Sequence, residues 1–188
     1  MRSSATSAQS SKSGAPLPKN KDLVIQVTPN ALRTVALAAI SGVRSIAAPA
    51  LLARAVGRGD VSGLRATPFA ALGDERISTA LQVLMAGEMA GDKTPLIPSR
   101  TSAGPLFGRA LSGALVGSAL FVSRKRPGLS GALLGAASAL GGVYAADRLR
   151  SATTQGLGLP DPLFGLLEDG LILIGGNRLL RKESTARR

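Results

Sequence analysis

The 188-residue chain contains no cysteine, no histidine and no tryptophan, and only 3% of its residues are aromatic. The first two absences exclude disulfides, thiol chemistry, iron–sulfur clusters, zinc sites of the usual kind and histidine acid–base catalysis. Neither a metal nor a cofactor is expected. Serine is abundant, yet without histidine no familiar triad can form, and Gly57-Arg58-Gly59-Asp60 lacks the Lys-Ser/Thr that completes a phosphate loop. No catalytic residue can be named. The scarcity of aromatics also removes base stacking, so the formal charge of +12 does not point to nucleic acid. The basic residues collect at chain ends and short connectors, where anionic lipid headgroups are the better counterpart.

What is abundant is small. Alanine, leucine and 23 glycines carry most of a 45% apolar composition. Residues this small let helix backbones approach closely, the packing mode favoured where lipid surrounds every apolar surface. The expected fold is all-α: a polytopic transmembrane helical bundle with about four spanning helices plus a short re-entrant or partial helix. An Ala-rich soluble bundle is the alternative, since polar ends and interrupting arginines hold mean hydropathy to +0.22.

Residues 1–27 read as a disordered, basic, Ser-rich tail, residues 28–178 as the membrane domain and residues 179–188 as a basic C-terminal tail. Thr28-Pro29 is a helix start, and the apolar run from there to Val56 is long enough to cross a bilayer, but Arg33, Arg44 and Arg54 interrupt it and Pro49 should kink it, so a broken or strongly tilted helix is expected. Residues 57–76 form a mixed-charge connector in which Thr67-Pro68 can start a short surface helix. The run 77–90 falls below the roughly 17–25 residues of a spanning helix, so it is either completed by flanking polar residues or re-entrant, the latter being favoured. Residues 104–122 and 127–146 are the clearest spans, and a connector as short as Arg124-Lys125-Arg126 makes them an antiparallel hairpin. A last apolar run, 162–177, follows Asp161 as N-cap.

The hairpin carries a local repeat, Ser112-Gly113-Ala114-Leu115-Val116-Gly117 and Ser130-Gly131-Ala132-Leu133-Leu134-Gly135. Each copy places two glycines four apart on one helical face. Gly104, Gly108, Gly113, Gly117, Gly131 and Gly135 are the packing candidates, against each other or in a homo-oligomer. With four crossings, Lys and Arg outside the spans divide twelve against seven, placing both termini on the cytoplasmic side.

Charges inside apolar runs are the only candidate chemistry. Glu88 and Asp92 share a helical face at the end of an apolar segment, which suits a proton or cation site or, more plainly, a solvated helix end. Glu168 and Asp169 lie well inside the last run, where an acid at the bilayer centre costs about 2.5–3.5 kcal/mol unless answered. Arg44, Arg109 and Arg178 are their candidate partners. Arg44 is mid-segment and suits an internal ion pair, whereas Arg109 reads as a headgroup anchor and Asp147-Arg148 as an interfacial pair closing its span.

Gly42-x-Arg44 with Pro49 downstream, Glu88-x-x-x-Asp92-Lys93-x-Pro95, the Gly-rich hairpin and Glu168-Asp169 resemble a widespread bacterial family of small Gly-rich integral membrane proteins. That family is known only as a domain of unknown function, with an E-x-x-x-D-K-x-P element after the second hydrophobic segment. The resemblance covers residues 30–180 and implies a multi-helix protein of a bacterial inner membrane. It supplies no activity or substrate. The functional expectation is a transporter or channel-like protein with Arg44, Glu88, Asp92, Lys93, Glu168 and Asp169 as its polar centre. The alternative is a scaffold that oligomerises through its glycine faces.

Overall fold

The structure is a computed structural model that describes residues 29–91, 103–157 and 161–181; residues 1–28 and 182–188, together with Asp92, Lys93, Pro95 and Pro98, lie outside them, while residues 179–181 of the expected C-terminal tail belong to the last helix. The described residues are all-helical. In order they form α1 (Pro29–Val43), α2 (Ala47–Gly57), a 3-10 helix (Pro68–Gly73), α3 (Glu75–Gly91), α4 (Ala103–Val122), α5 (Gly128–Leu157) and α6 (Asp161–Arg181).

The α4–α5 hairpin is built on glycine. Gly113 meets Gly135 and Gly117 meets Gly131 across the interface, so that a Cβ on Gly117, Gly131 or Gly135 would fall on a backbone carbonyl of the other helix. The buried positions of α5, Gly131, Gly135, Ala139, Gly142 and Val143, recur at helical spacing and form a single face. At its far end that face receives α1, where Gly42 lies against Ala139 and Gly142 against Ala39. Gly104 and Gly108, by contrast, face open space. The turn joining α4 to α5 ends α4 in a Schellman motif, with Arg126 N–H donating to Phe121 O at 2.9 Å and Lys125 N–H to Val122 O at 2.9 Å. Lys125 takes the left-handed position, φ 58°, that this motif demands.

The segment expected to be a broken or strongly tilted helix is broken between α1 and α2, and its two halves form a helical hairpin. Arg33 and Leu37, near the start of α1, line a small cavity with Leu120, Arg124 and Leu180. Arg54 and Arg58, at the end of α2, line a groove with Leu173, Arg178 and Arg181. Both feet of the α1–α2 unit therefore stand beside the C-terminal ends of α4 and α6, and only the break between them, Arg44–Ile46, reaches mid-bundle. At about 1.5 Å per residue, α1 rises about 22 Å and α2 about 16 Å, so neither matches a hydrocarbon core of about 30 Å.

Pro49 acts differently from a mid-helix kink. It is the third residue of α2, where a missing N–H costs nothing. Its ring excludes the carbonyl of the residue four before it, Ser45, from a helical bond. The helix therefore breaks upstream of the proline, at residues 44–46.

Two further boundaries differ from expectation. The run that looked too short for a span begins two residues earlier, because Asp74 caps α3 by accepting N–H bonds from Arg76 (2.9 Å) and Ile77 (3.3 Å). It is a 17-residue helix that starts beside Gly57, where Gly73 packs, and rises along α2. Secondly, α5 runs on through Asp147 and Arg148 to Leu157, so the helix does not end at that pair.

The apolar core, centred on Leu37, Leu52, Leu64, Val116 and Leu120, fills the half of the bundle on which the α1–α2 hairpin stands. Gly63, at φ 92°, lays its backbone on Ser123 O and seats Val61 and Leu64 as a plug at that end. The same end is strongly basic: ten described Lys and Arg residues lie there, against Arg148 and Arg150 at the other, with Arg44 and Arg109 buried between. Among the described residues, two helices, Ala103–Val122 and Gly128–Thr153, are long and apolar enough to cross a membrane.

Candidate functional site

The break between α1 and α2 leaves the N–H groups of Ser45 and Ile46 without helical acceptors, and the α2 cap residue Ile46 has no side chain able to take them. Glu88, arriving on α3, supplies both acceptors: Oε1 accepts Ser45 N–H at 2.7 Å and Oε2 accepts Ile46 N–H at 2.9 Å. A carboxylate here also meets the positive end of the α2 dipole. Ser45 O, which Pro49 cannot reach as a donor, accepts the hydroxyl of Ser112 from α4; Ser112 Oγ lies 3.3 Å from Ser41 Oγ.

Arg44 occupies the break itself. It is 2% exposed, and its guanidinium turns to α6, where Nε donates to Asp169 Oδ1 at 2.9 Å and Nη2 lies 2.8 Å from the same oxygen. Asp169 is 7% exposed. Of the arginines considered as its partner, Arg44 is the one that meets it. Charge-assisted bonds of this kind are roughly twice as strong as neutral ones, which is what a buried ion needs to offset its lost hydration.

Arg44, Glu88 and Asp169, carried by three different elements, thus converge on three consecutive residues of broken helix. Glu168 is half-buried beside Asp169. Arg109 is 5% exposed and lies one helical turn before Ser112, so it faces the bundle interior and is not the headgroup anchor its position suggested. Asp92 and Lys93 fall outside the described residues. The residue that sequence reasoning passed over is Ser112. It was legible only as part of a glycine repeat, although a hydroxyl on the face that also carries Gly113 and Gly117 is the available signal for an interhelical donor.

The centre stabilises a helix break inside the bundle and seats a carboxyl group beside a half-helix N-terminus. Comparison of the chain with protein-family models, with curated proteins and with solved structures returned no match.

Proposed function

We propose that the chain is an integral membrane protein in which α3, α4, α5 and α6 cross the bilayer, the α1–α2 hairpin enters and leaves from one side, and both termini lie on that side. The outward surface supports this reading. The two apolar spans are only 33% and 28% buried within the chain, where a core helix of a soluble bundle would be mostly covered. Phe107, Leu111 and Leu115 on α4, and Leu163, Leu167, Leu171 and Ile174 on α6, continue the exposed apolar surface. Water disfavours so large a patch and lipid does not. The ten-to-two division of the described basic residues supports a cytoplasmic hairpin side.

Its function is the passage of a small ion or solute past the break. The observation that carries this reading is the seating of Glu88 on the N–H groups of Ser45 and Ile46, immediately before α2, at mid-depth and next to the Arg44–Asp169 pair. Broken helices whose half-helix ends meet charge at the bilayer midplane are the recurring site architecture of membrane transport. The resemblance to the Gly-rich family of unknown function is compatible with it and adds no substrate. The test is ion flux in proteoliposomes loaded with a pH-sensitive dye under an imposed potential. The wild type should dissipate the gradient faster than empty vesicles, and Glu88→Gln should not; a wild type indistinguishable from empty vesicles removes proton passage.

A scaffold role is the second reading, favoured by one observation. Gly113, Gly117, Gly131 and Gly135 are used inside the chain, whereas Gly104 and Gly108 lie four apart on an open face of α4 that a second copy can occupy.

A further inference from the structure

We propose that the groove between α2 and α6 is a binding site for an anionic phospholipid, with its phosphate held among Arg54, Arg58, Arg178 and Arg181 and an acyl chain laid along Leu173 and Ile174. The groove has a volume of about 430 Å³, and no acidic residue lines it. Asp60 pairs with Arg58 from outside, Oδ2 to Nε at 3.2 Å. Arg54 and Arg58 lie four apart on α2 and Arg178 and Arg181 three apart on α6, so each helix presents its pair on one face.

Packing α2 on α6 drives these four guanidinium groups together. The two helix C-termini there contribute about half a negative charge each, and with Asp60 this leaves the groove near +2. An anion is what relieves that repulsion. Guanidinium pairs recognise phosphate oxygens bidentately, and Arg is preferred to Lys where that geometry matters.

The apolar wall decides between a lipid and free phosphate. Ile174 is 58% exposed, and it continues into exposed Leu171, Leu167 and Leu163 at helical spacing, a ridge leading from the arginines toward the opposite end of the bundle. A free phosphate has no use for that ridge, whereas an acyl chain follows it. This inference rests on the membrane reading and on the basic end facing a headgroup layer.

The test uses the full chain in mild detergent, with native mass spectrometry of phosphatidylglycerol and phosphatidylcholine binding. The wild type should retain phosphatidylglycerol preferentially. The double variant Arg54→Gln/Arg178→Gln should weaken it about fivefold per arginine removed, from about 1 kcal/mol per basic residue at a headgroup. Arg65→Gln/Arg126→Gln, which removes the same charge outside the groove, should change it less than twofold, and Ile174→Ser should weaken lipid binding alone. Equal losses in the two double variants, or no loss in either, overturn the site in favour of diffuse attraction. Full displacement of the lipid by millimolar inorganic phosphate overturns the lipid assignment. Whether the chain stays in the membrane fraction after an alkaline wash is read separately, so a failed membrane reading is not confused with a failed site.

Discussion

Arg44 and Asp169, 125 positions apart in sequence, are joined twice through one carboxylate oxygen, at 2.9 Å from Nε and 2.8 Å from Nη2. The pair ties the broken helix to α6 at the depth where α4 offers Ser112 and α3 offers Glu88. Helix break, ion pair and carboxylate cap form one unit, since each answers a polar group that another exposes.

Breaking the pair from one side strands a buried ion. Asp169→Asn or Arg44→Gln should each destabilise the protein by about 3–5 kcal/mol, while Arg44→Met/Asp169→Leu should cost far less than the sum. Thermal unfolding in detergent, run as a double-mutant cycle, reads the coupling; strict additivity would mean that the two residues do not act as a pair.

Glu88→Ala removes both acceptors from the break and should cost about 2–4 kcal/mol, because each orphaned buried N–H costs about 1–3 kcal/mol with some of it recovered by water. Glu88→Gln keeps one acceptor and should cost about half as much. Hydrogen exchange at Ser45 and Ile46 checks the local effect: both amides should lose protection in Glu88→Ala, and unchanged protection would place their acceptor elsewhere.

Glycine substitutions should divide by position. Gly117→Ala or Gly131→Ala drives a Cβ onto a carbonyl of the facing helix and should prevent assembly of the hairpin. Gly104→Ala and Gly108→Ala meet nothing within the chain, and a Gly→Ala exchange in a helix interior gains up to about 1 kcal/mol. If a second copy packs there, Gly108→Leu should shift the sedimentation of the protein to that of a monomer while leaving its melting temperature close to the wild type.

Lys125 holds a left-handed conformation that costs a non-glycine residue about 1–2 kcal/mol. Lys125→Gly should therefore raise the melting temperature of the hairpin, less than the full amount because glycine loses more entropy on folding. A lower melting temperature would show that the Lys125 side chain contributes more than its backbone strain costs.

The hairpin of α4 and α5 was legible because its information is local: charge-free runs, a three-residue basic connector and glycines four apart. The α1–α2 hairpin was not. Pro49 advertises a disturbance, but its effect appears at Ser45, and the break is stable only because Glu88, more than forty residues away, accepts its amides. No window of sequence contains both halves of that arrangement. Glu75 and Arg76 made α3 look shorter than it is, since charges in a first turn resemble a connector until their cap at Asp74 is seen. Asp147 and Arg148 misled in the opposite sense, because a helix that outruns an apolar layer keeps its hydrogen bonds while its side chains turn polar. Arg109 was misplaced because position along a helix says nothing of which way a side chain faces, and Ser112 shares its inward face.

The absence of cysteine makes the path of residues 29–57 directly measurable. Single cysteines introduced as Asn30→Cys, Ser62→Cys, Lys125→Cys and Ser151→Cys can be labelled in sealed vesicles with a membrane-impermeant maleimide, without any native background. Positions 30, 62 and 125 should react from one side and position 151 from the other. Labelling of 30 and 62 from opposite sides would make 29–57 a crossing segment and contradict the re-entrant hairpin.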